Sequence, residues 1–271
     1  MRIIKLTVEY DGTAYCGWQR QQRAAAAGPP SIQATLEASV HRLTGETTSV
    51  VGAGRTDAGV HAYGQVAHFT TASRIQASRF AQALNAHLPA DIRVLRASEA
   101  PAGFHARFDA RSRSYRYEIL NRPASSALLR HRTLHVPEAV DATAMRRALA
   151  PLVGRHDFAA YRASGSQTRT TACHVLAADC NRKGSRLWVT IAADRFLRHM
   201  VRLIVGTLLR VGTGRLPEDA PEAYLRDRDS RRSGPAAPAH GLYLVRVNYD
   251  ALPAPVNGHQ AESSGQNSGI R

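Results

Sequence analysis

Asp57 is the only acidic side chain in a glycine-rich stretch, GAGRTDAGVHAYGQ (residues 52–65), of a chain that is otherwise strongly basic. Arg55 stands two residues before it, and Gly52, Gly54, Gly59 and Gly64 surround it. A carboxylate carried on glycine-permitted backbone can serve as a nucleophile or base. The same residue types also build a plain turn, in which the Asp side chain bonds nearby backbone N–H groups. Other chemistries fail on spacing. The GAG that follows a strand lacks the helix a dinucleotide fingerprint must open at once, and no GxxxxGK[ST] phosphate loop occurs. His61 with His68, His131 with His135, and Cys173-His174 with Cys180 lack the spacing of a closed metal site; solvated or hydrogen-bonding roles are expected for them, and no metal. No G-x-S-x-G elbow marks a hydrolase serine.

Arg202 is the natural partner for this carboxylate. It lies in FLRHMVRLIVGTLL, among Val201, Leu203, Ile204 and Val205, with Arg198 and His199 on the preceding turn. A guanidinium beside so much apolar surface is costly to bury without an anion, although a long arginine can also reach out to solvent. A third group is aromatic. In RSYRYEILN, Tyr115 and Tyr117 share one strand face with Ile119, and with FHARFDARSR just upstream the chain carries four arginines from Arg107 to Arg116. Such tyrosines ordinarily serve a sheet core; beside a basic loop they can also stack on a nucleobase.

These residues need elements to hold them. IIKLTVE (3–9) alternates as a half-buried strand, and Tyr10-Asp11-Gly12 turns the chain. Ser31 caps a helix carrying Ile32, Leu36, Val40 and Leu43. Strands follow at 47–53 and 64–71, then a helix at 77–88 and a strand at 91–97. The second half repeats that order: strand 113–121, helix 141–153, strands 173–180 and 186–193, helix 196–211 and strand 241–249. Two β-α-β-β-α-β units predict an α+β protein of two similar ferredoxin-like domains, each with a mainly antiparallel sheet and a cleft between them. The expected division is 1–105 and 106–250. AAAAGPP (24–30) reads as a loop insertion and 251–271 as a disordered tail.

Composition bounds the partner. Lys plus Arg number 36 against 21 Asp plus Glu, a formal net charge of +15, and Lys5 and Lys183 are the only lysines. The excess runs along the whole chain and favours a polyanion, nucleic acid ahead of a small acidic metabolite. Basic loop and aromatic strand together fit RNA better than duplex DNA. With 44% hydrophobic residues the chain can fold on its own cores, and three widely spaced cysteines form no disulfide framework. A cytoplasmic protein with no signal peptide and no membrane span is expected.

Seven segments in order, YDGTAYCGWQRQ, SIQATLEASVHRLTGE, GAGRTDAGVHAYGQVAHF, LNAHLP, FHARFDARSRSYRYEILN, FLRHMVRLIVGTL and HGLYLVRVNYD, resemble the motifs of the tRNA pseudouridine synthase A family. The resemblance runs to about residue 250, and RTDAGVHA is its most specific part. It implies that Asp57 is the catalytic nucleophile, that Arg55 contacts RNA and helps expel the target nucleotide, that Tyr115 packs on the flipped uracil, and that Arg202 pairs with the aspartate. The implied reaction breaks the N1–C1′ bond of a tRNA uridine and rejoins the base through C5, at positions 38, 39 and 40 of the anticodon stem-loop. No cofactor is implied, and the partners are tRNA and a second copy of the chain in a homodimer. Attack at C1′, proton abstraction from C2′ and addition at C6 are all open to one carboxylate. The other readings are an RNA-binding protein without the chemistry, or a synthase for a different RNA. Two segments depart from the family pattern: the 24–30 insertion, and Cys173-His174, where relatives commonly carry a basic residue.

Overall fold

The computed structural model describes residues 1–20, 28–163, 165, 168, 170–229 and 231–250. Its elements run β1 (Arg2–Tyr10), α1 (Ile32–Thr44), β2 (Val51–Gly52), β3 (His61–Thr71), α2 (Phe80–Asn85), β4 (Ile92–Ala100), β5 (Ser112–Asn121), β6 (Leu134–Val136), α3 (Ala142–Leu149), β7 (Gly154–Asp157), β8 (Ala172–Lys183), β9 (Arg186–Ala193), α4 (Met200–Gly212), α5 (Ala220–Asp227) and β10 (Leu242–Asn248). The mixed α+β class is as the sequence predicts. Ser31 caps α1 as expected, its side chain accepting the Ala34 N–H. The short β6, β7 and α5 have no counterpart in the sequence reading, because segments of 3, 4 and 8 residues carry too little periodicity to stand out.

The strands form one sheet of ten, in the order β4-β1-β3-β10-β5-β9-β8-β7, with β2 on β3 and β6 on β5. This corrects the expectation of two sheets. β2 is only two residues long and pairs with β3 at His68 and Ala67, so the start of β3 keeps an open edge. An open edge beside a core leaves backbone groups unpaired. β10 fills it in parallel, Tyr243 opposite His61 and Leu244 opposite Ala62, and pairs antiparallel with β5 on its other side. Apart from β3–β10 and β5–β6, the pairings are antiparallel.

Alternation decides which face is core. Ile4, Leu6, Val8 and Tyr10 of β1, and Leu187, Val189, Ile191 and Ala193 of β9, are buried while their neighbours are less so. The register carries that face across the junction: Tyr10 lies opposite Ala62, Ala62 opposite Leu244, Leu244 opposite Tyr115 and Tyr115 opposite Ile191. Tyr115 therefore faces the same side as the first half's core strands, directly over the seam.

Helix α4 begins at Met200, not at 196 as the periodicity predicts, because His199 adopts left-handed backbone (φ 61) and ends the preceding turn. No helix among the described residues is long and apolar enough to cross a membrane. The 24–30 insertion lies largely, and the 251–271 tail wholly, outside the described residues.

Candidate active site

The loop between β2 and β3 carries Arg55 and Asp57 and is held from beneath by residues 12–18. Trp18 N–H donates to the Thr56 carbonyl at 3.0 Å, and Tyr10 and Thr56 share a 2.8 Å hydroxyl bond. Gln65 donates to the Gly54 carbonyl at 2.8 Å. Two glycines of YDGTAYCGWQRQ allow this contact. A Cβ on Gly12 would lie 2.0 Å from the Val60 carbonyl oxygen, and one on Gly17, which has φ +102, would lie 2.5 Å from that of Thr56.

Arg202 reaches the loop from the first turn of α4. Its Nη1 donates to Asp57 Oδ2 at 3.0 Å and its Nε to the Ala237 carbonyl at 2.7 Å, while Ala237 N–H returns a bond to the Arg202 carbonyl. The left-handed turn at His199 brings its Nε2 to 3.4 Å from the same Oδ2. Both side chains thus lie within 3.4 Å of one carboxylate oxygen, which Arg202 alone hydrogen-bonds, and among the described residues no group bonds Oδ1. The Arg202 side chain is 16% exposed and that of Asp57 35%, so the pair is half shielded, short of the cost of a fully buried ion pair.

Tyr115 closes the wall beside Asp57. Its ring meets Phe196 edge-to-face at 5.0 Å, and burial pushes its hydroxyl up to about 12, with the Asp57 carboxylate adding to the shift and Arg113 opposing it. Burial also lowers the His199 pKa, against the pull of Asp57 and with the help of Arg202 and Arg198, so the imidazole beside Asp57 is neutral at neutral pH. Arg113 ties the site together: it donates to the carbonyls of Ala53, Arg107, Ala110 and Asp194 at 2.7 to 3.1 Å.

Asp57, Arg202, Tyr115 and Arg55 all line one cleft of about 1030 Å³ over the seam of the sheet. Its described lining includes six arginines (Arg55, Arg107, Arg113, Arg195, Arg198 and Arg202) and a single acid, Asp57. His199, Phe196 and Arg113 were not singled out as site residues from the sequence; the polar edge His199 forms with Arg198 ahead of Arg202 was its only signal. His61 and His68 take the hydrogen-bonding roles expected of them. His61 accepts the Gly12 N–H on Nδ1 and donates through Nε2 to the His131 and His240 carbonyls, and His68 accepts the Ala106 N–H. Cys173 is buried in β8.

The cleft holds one described carboxylate, a guanidinium paired with it, a tyrosine wall and a basic rim, and comparison with known proteins gives the family. The profile of the tRNA pseudouridine synthase family matches residues 6–109 and 148–250. The chain belongs to that family. Among similar proteins, the tRNA pseudouridine synthase A of Acetivibrio thermocellus is 46% identical over 92% of this chain and 100% of its own length. That of Xanthobacter autotrophicus is 45% identical over 92% and 100%, and that of Rhodospirillum rubrum 46% over 90% and 87%. The enzyme is an isomerase of the tRNA pseudouridine synthase kind. Asp57 and Arg202 fall in separate matched stretches, and Tyr115 lies between them; the β3–β10 pairing unites all three.

Proposed function

We propose that the enzyme isomerises uridine to pseudouridine at positions 38, 39 and 40 of the tRNA anticodon stem-loop, with Asp57 as nucleophile and the target base flipped into the cleft. The observation that carries this reading is the convergence of Asp57, Arg202 and Tyr115 in one arginine-lined cleft. Asp57 reacts through Oδ1, since the Arg202 bond occupies Oδ2. The charge-assisted bond from Arg202 fixes the carboxylate in one rotamer and leaves the reacting oxygen facing the cleft. Tyr115, neutral throughout the physiological range, supplies a flat apolar wall for the uracil. Arg55, exposed at the rim, takes the place of the departed base in the stack.

The reaction exchanges the N1–C1′ bond for a C5–C1′ bond; the C5 proton leaves and N1 gains one. Target choice comes from shape and phosphate contacts, which the basic rim favours and which suits three neighbouring positions in tRNAs of differing sequence. In this reading residues 1–105 and 106–250 are two ferredoxin-like units joined through β3 and β10, and two copies of the chain hold one tRNA between them. The partner strand orders support the first point: β4-β1-β3 with β2 on β3, and β10-β5-β9-β8. Tritium release from tRNA labelled at uracil C5 tests the chemistry, and mapping of pseudouridine in the product tests the positions. Release with product at 38 to 40 is expected. Tight binding without release would leave an RNA-binding protein, and product at other sites or only in other RNAs would overturn the substrate.

A further inference from the structure

Phe108 is 74% exposed, a large apolar ring left in water, and it stands on a ridge that separates two hollows. On one side is the catalytic cleft; on the other is a smaller pocket of about 210 Å³ reaching down to Trp18 and Gly52. Arg55, Arg107 and Phe108 line both. An exposed phenylalanine on a mobile loop would be unremarkable, but this ring is held in place. His105 stacks on it with centroids 4.2 Å apart and planes 24° from parallel. The same imidazole accepts the backbone N–H groups of both Arg107 and Phe108 on Nδ1 at 3.2 Å, and the Asp109 carboxylate accepts the backbone N–H of His105 at 2.8 Å. His68 holds Ala106 from the sheet, and Arg113 bonds the carbonyls of Arg107 and Ala53, coupling the ridge to the Asp57 loop. The fold thus fixes an apolar ring in solvent, beside the reaction centre, where the core gains nothing from it.

We infer that the pocket beyond the ridge is a second nucleobase site, which takes a nucleotide flanking the target, unstacked and laid against Phe108. This rests on the RNA-modifying reading above. The occupant follows from continuity and charge: a chain with its target base in the cleft must cross the ridge, and Arg107 there matches its phosphates. A second protein surface would meet a single ring between two guanidiniums, a poor apolar interface. A heterocycle meets a preorganised stacking platform, sequence-tolerant because every base has a π-face. Holding a neighbour apart from the stack also lowers the cost of expelling the target, since the target then loses one stacking partner before it moves.

The test is a coupling cycle between Phe108 and the flanking bases. Wild type, Phe108→Ala and Phe108→Trp are compared for binding of stem-loop RNAs whose nucleotide on the 5′ or 3′ side of the target is intact or abasic. Phe108→Ala is expected to weaken binding of intact RNA about tenfold, and Phe108→Trp to restore it. At one flank, removing the base weakens wild-type binding by the same factor and Phe108→Ala binding no further. The inference is overturned if Phe108→Ala binds intact RNA like wild type, or if the two losses multiply at both flanks. Exposure of Phe108 makes misfolding of the variant avoidable, and matching melting curves check it. Tritium release by the wild type separates the two ideas: its absence sinks the proposed function, whereas release without coupling sinks only the second site.

Discussion

Replacing Asp57 by Asn removes one charge and changes almost no shape, so it separates chemistry from architecture. The loop backbone is held by Trp18, Tyr10 and Gln65 acting on Thr56 and Gly54, none of which touches the Asp57 side chain. An asparagine oxygen can still accept from Arg202 Nη1, and Arg202 keeps its bond to the Ala237 carbonyl. What is lost is the charge of a pair whose acid is 35% exposed, worth about 1 kcal/mol after solvent screening. For a chain of this length that is a fall in Tm of about 2 to 4 °C. Tritium release, by contrast, should drop by about 10⁴-fold or more, because an amide cannot replace the carboxylate as nucleophile. RNA binding should be kept or tightened, since the cleft loses its only described acid among six arginines. Single-turnover tritium release, thermal melting and filter binding read the three effects separately. Release within about tenfold of wild type would refute the catalytic assignment, and a collapse of Tm with loss of RNA binding would make Asp57 a structural residue.

Arg202→Lys keeps the charge but cannot serve Asp57 and the Ala237 carbonyl in the two directions that Nη1 and Nε now do; it should cost about 1 to 2 kcal/mol in stability and lower the single-turnover rate with little change in RNA affinity. Gly12→Ala drives a Cβ against the Val60 carbonyl and shifts the Asp57 loop, so release should fall by about 10²-fold in protein that still melts cooperatively; unchanged release would show that residues 12–18 do not position the site. Burial lowers the pKa of His61, His68, His199 and His240 below the ordinary 6.5, outweighing at His61 the opposing pull of Asp11. The folded state therefore binds fewer protons than the unfolded one, and this stability is present above pH 6.5 and lost as pH falls through the folded values. Denaturant titrations from about pH 7.5 down to about 5.5 should show it, with a smaller slope in His61→Gln; a flat profile would contradict neutral burial of these rings.

Local chemistry made part of the protein legible without coordinates. Alternation in residues 3–9, the Ser31 cap and the apolar spacing of α1 are properties of neighbouring residues, and β1 and α1 form where they predict. The isolation of Asp57 and the apolar setting of Arg202 were likewise visible, because burying a guanidinium demands an anion wherever it occurs. The predicted helix at 196–211 overran its true start by four residues, since side-chain periodicity does not register the left-handed backbone of His199. That small error hid His199 from the site, where its imidazole stands 3.4 Å from Asp57 Oδ2. The single sheet was hidden for a different reason: whether β10 pairs with β3 depends on β2 being too short to cover that edge, a matter of long-range hydrogen-bond satisfaction. The amino-acid order by itself determined the longer elements, the basic character and the chemical types at the site. Tertiary structure alone decided that strands more than 170 residues apart meet at His61 and Tyr243, because β10 there covers the edge of β3 that the short β2 leaves open, and that meeting puts Tyr115 and Arg202 over Asp57.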